Sequence, residues 1–149
     1  MGILNVASAA SDWRGLEYYK NKKVISLEKI NEIEYKSLVK GNKEYEVILN
    51  TEHPRKCKCN CPHADGKRII CKHIVATYFQ VFPEEAIKFE EEQKRLEEEY
   101  EQYEDELYEK VIKYMKSMSK NDLINELINI FDYGPEWIYN DFIRRNYIE

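Results

Sequence analysis

Five residues with metal-binding chemistry fall at close spacing in this chain: Cys57, Cys59 and Cys61, then Cys71 and His73. They lie in RKCKCNCPHADGKRIICKHIVATYFQVF, residues 55–82, which holds all four cysteines. Thiolate and imidazole are the preferred ligands of zinc, and a structural site uses four of them in a tetrahedron. Cysteines two apart in an extended segment point to the same side, so a C-x-C pair can reach one ion together. Two such frames are available, Cys57/Cys59 and Cys59/Cys61. Pro62 then forces a bend, because its ring fixes φ and removes an amide donor. Asp65-Gly66 is a turn signal that brings the chain back. Cys71 arrives just before the apolar-periodic run Ile74-Val75-Ala76-Thr77-Tyr78-Phe79, which reads as a helix. A thiolate at its entry is stabilised by the unpaired amides and the dipole there. With more than four donors on hand, the site closes on Zn2+ without outside ligands.

The competing chemistry is two disulfides. The first residues, MGILNVASAASDWRG, have a short apolar start but no basic n-region and no adequate apolar core for a secretory signal. The expectation is therefore an intracellular chain, cytoplasmic or nucleoid/nuclear, where cysteine clusters bind metal. No apolar run approaches the ~20 residues needed to span a bilayer, so no membrane partner is expected. His53 precedes a proline in a polar turn and reads as a solvated histidine. His63 is the reserve ligand, since the C-x-H spacing already supplies an imidazole.

Cys59-x-Cys61-Pro62…Cys71-Lys72-His73-Ile74-x-Ala76 resembles a SWIM-type zinc finger, whose pattern is C-x-C, a variable loop, then C-x-H. Upstream, Trp13-Arg14-Gly15-x-x-Tyr18-Tyr19, Val24 and Val39-x-Gly41-x-x-x-Tyr45-x-Val47 resemble the lead-in that such proteins often carry. The resemblance implies a zinc-bound ββα unit that contacts DNA or another protein, and it implies no reaction. The family places proline directly after the second cysteine. That assigns Cys59, Cys61, Cys71 and His73 as the ligands and leaves Cys57 as a spare.

Charge is distributed unevenly. Residues 1–83 carry 14 Lys/Arg against 9 Asp/Glu, residues 84–109 carry 3 against 13, and residues 110–149 balance at 6 against 6. Six bases, Arg55, Lys56, Lys58, Lys67, Arg68 and Lys72, bracket the ligands with one acid among them, Asp65. Zinc with three thiolates is net −1, which accounts for one of those charges. The remainder marks a basic loop suited to phosphate.

The elements that must position this site read as α+β. Ser11-Asp12 can cap a short helix over Trp13 to Lys20. Strands follow at Val24–Leu27, Ile33–Val39 and Tyr45–Leu49, with Gly41-Asn42 as a turn, giving a small antiparallel β-meander that delivers the chain to the ligand segment. From residue 84 to 118 there is no glycine or proline, and strong helix formers predict one long acidic helix. Its apolar positions Phe89, Leu96, Tyr100, Tyr103, Leu107, Val111, Tyr114 and Met118 form a narrow stripe close to a coiled-coil seam. That stripe reads as a surface for a protein partner or for self-association. Ser119-x-x-Asp122 caps a further helix, and Gly134-Pro135 separates it from a last one ending in Arg144-Arg145. This C-terminal helical hairpin is expected to pack its apolar face within the chain, capping the long helix. The boundaries are 1–83 for the zinc-binding domain, 84–118 for the long helix and 119–149 for the hairpin.

No Walker loop, G-x-G-x-x-G, H-E-x-x-H or serine elbow is present. A catalytic zinc keeps a position open for water, whereas four close ligands, three of them thiolates, close the site and blunt its Lewis acidity. No enzyme activity and no small-molecule substrate are expected. Two functions remain. In the first, the finger binds nucleic acid, DNA before RNA, through its basic loop, with the helical tail for assembly. In the second, the finger is a folding staple in a protein–protein adaptor, for example for a recombinase-like partner.

Overall fold

The computed structural model describes residues 2–146. Two compact units divide the chain, Met1–Lys94 and Arg95–Glu149.

In the first unit, helix α1 (Ala9–Lys20) leads to a four-stranded antiparallel sheet of β1 (Val24–Lys29), β2 (Glu34–Lys40), β3 (Glu44–Asn50) and β4 (Lys58–Cys59). Strand order follows chain order, and a 3₁₀ turn at Pro54–Lys56 connects β3 to β4. Helix α2 (Lys72–Val81) and the first turns of α3 (Pro83–Ser117) complete the unit. The expected meander and the ββα order of the finger are both present.

Alternation along the strands explains the core. Ser37, Val39, Val47, Leu49 and Cys59 are buried, while Lys36, Glu46 and Lys58 between them face water. Helix α2 covers the buried face. Its residues His73 to Thr77 are all buried, a run no one-sided helix could show, because α1 covers α2 from the opposite side. That crossing is tight. A β-carbon on Gly15 would fall 2.5 Å from Val75 Cβ, nearer still to its Cγ1, and 3.2 Å from the Lys72 carbonyl oxygen. Inside the contact between sheet and helix, Ser37 Oγ lies 2.6 Å from Thr77 Oγ1, and Thr77 donates to the His73 carbonyl at 2.9 Å. Phe89 of α3 then closes the edge against Phe79 and Trp13, both at 5.8 Å between ring centroids.

The start of α1 corrects the expected cap. Ser8, not Ser11 or Asp12, is the N-cap, its Oγ accepting from the Ser11 amide at 3.2 Å. The helix therefore begins at Ala9, and Asp12 turns inward, where it is 6% exposed. Trp13 is 51% exposed, because Gly15 and Leu16 take the position against α2.

The second unit is helical: the rest of α3, then α4 (Lys120–Tyr133) and α5 (Glu136–Asn146). Ser119 caps α4 as its spacing predicts, accepting from the Asp122 amide at 3.2 Å. Phe131 of α4 packs on Phe142 and Tyr139 of α5, at 4.9 and 5.5 Å between centroids. The expectation that the hairpin buries its apolar face is not met. No described residue of α4 or α5 is buried, and Ile124, Leu127 and Ile128 stay exposed. Two short helices meeting at one aromatic cluster cannot cover both apolar rows. Residues 147–149 of the expected hairpin lie outside the described residues. No described helix is long and apolar enough to cross a membrane.

Candidate metal centre

Three segments bring the ligands together. Cys59 is carried by β4, whose pairing Val47↔Cys59 turns its side chain to the buried face of the sheet. Cys61 begins the turn after β4, and its carbonyl accepts from the amides of Ala64 and Asp65 at 3.0 and 2.9 Å. Asn60 holds this departure in place. Its Oδ1 accepts from the Glu46 amide at 2.9 Å. The loop returns through Gly66, which has the positive φ of 67° that its Asp-Gly signal requires. Cys71 is the N-cap residue of α2, and His73 sits in the first turn.

The ligand atoms of Cys59, Cys61, Cys71 and His73 lie within 4.8 Å of one another, and all four residues are buried. His73 Nδ1 is 3.6 Å from Cys59 Sγ and 3.8 Å from Cys71 Sγ. Around a tetrahedral zinc with Zn–S of about 2.3 Å and Zn–N of about 2.0 Å, donors stand roughly 3.5 to 3.8 Å apart. Donor set and spacing both fit that ion. Zinc bound here ties β4, the loop and the start of α2 into one body, and Nδ1 is the histidine atom that faces it.

The electrostatics agree with a thiolate site. The Cys71 thiol is lowered to about 4, first by the hydrogen bond from Cys59, against the opposing effect of burial, and then by the His73 ring and the amides of Ile74 and His73. Cys59 is raised, as the member of the pair that keeps the proton and because it is buried. Helix α2 thus offers its N-terminus to a negative sulfur.

Cys57 is separate. Burial pushes its thiol up, and its Sγ accepts from the Asn50 amide at 3.3 Å and lies 3.5 Å from the Asn50 carbonyl. It is a neutral thiol that closes the end of β3. His63 and His53 are exposed and outside the cluster.

Two tyrosines frame the histidine. Tyr45 stacks on it at 4.6 Å and 26°, and Tyr18 meets it edge-on at 5.4 Å. His73 Nε2 is buried and makes no hydrogen bond among the described residues. Gly41 approaches so closely that a β-carbon there would be 2.9 Å from Tyr45 Cε2 and 3.4 Å from His73 Nε2. Both tyrosines and Gly41 belong to the upstream lead-in, but their role around His73 depends on long-range packing that spacing does not reveal.

The six bases divide. Arg55, Lys58, Lys67 and Arg68 line one groove of about 540 Å³ beside β3 and β4, together with Glu46 and Asp65. Lys72 lies elsewhere, its Nζ 4.3 Å above the Tyr18 ring. Lys56 is not among the groove residues and helps hold the Glu34 carboxyl low, behind the larger effects of hydrogen bonds from Asn31 and Asn50.

Residues 45–81 match the SWIM zinc finger family. No curated protein and no solved structure gives a match to the chain. The segment from Tyr45 to Val81 is therefore a SWIM zinc finger, with a structural zinc site made by Cys59, Cys61, Cys71 and His73.

Proposed function

We infer that the finger binds nucleic acid, DNA before RNA, through the groove beside β4, and that the helical tail serves assembly. The observation that carries this reading is the convergence of Arg55, Lys58, Lys67 and Arg68 on one groove whose lining includes only two acids, Glu46 and Asp65. Glu46 is also paired with Lys36 at 3.5 Å, which reduces its opposition to an incoming anion. Four cations on a rigid edge favour phosphate over base edges, so binding is weakly dependent on sequence. Lys72 and Lys56 contribute less, each having another neighbour.

Fluorescence anisotropy of the zinc-loaded chain with labelled single- and double-stranded DNA and RNA tests this. Engagement of about four phosphates gives a log–log salt slope of roughly −3 to −4. Lys67→Ala with Arg68→Ala should flatten that slope by roughly 1.5 to 2 while leaving zinc content unchanged. Absence of binding to every probe at low salt overturns the reading.

The adaptor function is the second reading, and one observation favours it. Edge strand β1 and the turn after it expose Ile25, Leu27 and Ile30 together. An apolar edge of this kind suits an added strand from a protein partner, including a recombinase-like one.

A further inference from the structure

We propose that two copies of the chain pair antiparallel through residues 96–118, with the twofold axis passing at Leu107. The proposal concerns the second unit and stands apart from what the finger binds.

Six residues of the α3 stripe, Leu96, Tyr100, Tyr103, Leu107, Val111 and Tyr114, are 46 to 66% exposed, so nothing among the described residues covers them. Met118 extends the row just beyond the helix. Their spacing is symmetric: apolar residues occur 4, 7 and 11 positions before Leu107 and again 4, 7 and 11 positions after it. In an antiparallel pair with its axis at Leu107, Leu96 meets Met118, Tyr100 meets Tyr114, Tyr103 meets Val111, and Leu107 meets its own copy. An 11-residue period is about 3.67 residues per turn, close to that of a straight helix, so the row stays on one face with little supercoiling.

Charge follows the same symmetry with opposite sign. Residues 97–106 hold seven acids and no base, and residues 110–120 hold four lysines and no acid. The axis that matches the apolar rows also lays the acidic half of each copy alongside the lysine-bearing half of the other. In a parallel pair the acidic halves would lie side by side and the lysines would do the same. Like charges oppose that arrangement. Lys110 already pairs with Glu106 of its own helix at 3.4 Å, both well exposed, and that pair leaves Lys110 at the flank of the seam. Seven large side chains per copy would bury on the order of 1,000 Å² in total, at the lower bound for a specific interface. The dimer is therefore reversible. It carries two fingers per particle and so raises avidity for any extended target.

Sedimentation equilibrium of the full zinc-loaded chain should show a reversible dimer. Leu107→Asp places two carboxylates at the axis and should raise the dissociation constant roughly a hundredfold, with zinc content unchanged. A second set of variants alters only exposed residues. Tyr100→Glu and Tyr114→Lys should each weaken the dimer, and both changes in one chain should restore it to within roughly tenfold of the parent, because the axis sets position 100 opposite position 114. A monomeric parent overturns the proposal. So does a dimer indifferent to Leu107→Asp, or a Tyr100→Glu/Tyr114→Lys double variant that fails to restore association, the outcome of a parallel pair.

Discussion

The Tyr45 ring lies stacked on the imidazole of His73, with 4.6 Å between centroids and 26° between planes. Tyr45 projects from β3 and His73 from the first turn of α2, so the stack joins the sheet to the helix beside the metal centre. Zinc-bound histidines are usually oriented by a hydrogen bond from the second ring nitrogen. Here that nitrogen, Nε2, has no such bond among the described residues, and aromatic packing by Tyr45 and Tyr18 fixes the ring instead. Tyr45→Ala should lower zinc affinity by about tenfold or more, whereas Tyr45→Phe should retain it. Competition with a chromophoric chelator measures both.

Cys57→Ser should keep one zinc per chain. A buried serine in contact with the Asn50 backbone should cost stability, by about 1 kcal/mol in urea unfolding. Cys61→Ser should lose zinc. The opposite pattern would move the site into the Cys57/Cys59 frame.

Asp12 is buried, its Oδ1 has no hydrogen-bond partner among the described residues, and desolvation pushes its carboxyl up to about 6 from 3.8. The folded state therefore binds the proton more tightly than the unfolded chain does. Its contribution is most favourable below about pH 4 and is lost as pH rises through 6. At neutral pH the ionised carboxylate costs up to about 3 kcal/mol. Asp12→Asn should be more stable than the parent at pH 8, with the advantage shrinking toward pH 5.5. Urea midpoints of the two proteins across that range provide the check, and a constant difference would contradict it.

Gly15→Ala should destabilise by about 1 to 3 kcal/mol, because its new methyl overlaps Val75. Adding Val75→Ala should recover part of the loss. A neutral single substitution would show that α1 can withdraw from α2.

Much of this architecture was legible in the sequence for local reasons. The ligand spacing, the Asp-Gly turn, the three longer strands and the uninterrupted run of α3 each depend on neighbouring residues, and each is present. What was not legible depends on distant contacts. Ser8 caps α1 in place of Ser11-Asp12, and only the α1–α2 crossing shows why Asp12 is buried. The six bases looked equivalent along the chain, yet the Tyr18 ring draws Lys72 away from the groove that collects Arg55, Lys58, Lys67 and Arg68. The apolar row of α4 promised a buried hairpin, but nothing within the described residues covers it.

The central claim is that one zinc held by Cys59, Cys61, Cys71 and His73 organises the first unit. Its most direct test is zinc content together with folding for the parent and Cys71→Ser, by elemental analysis and amide NMR. The parent should contain one zinc per chain and give dispersed spectra that collapse on chelation or acidification, since the thiols must be deprotonated to hold the ion. Cys71→Ser should lose the metal and the dispersion together. A metal-free Cys71→Ser protein with the dispersed spectrum of the parent would contradict the account.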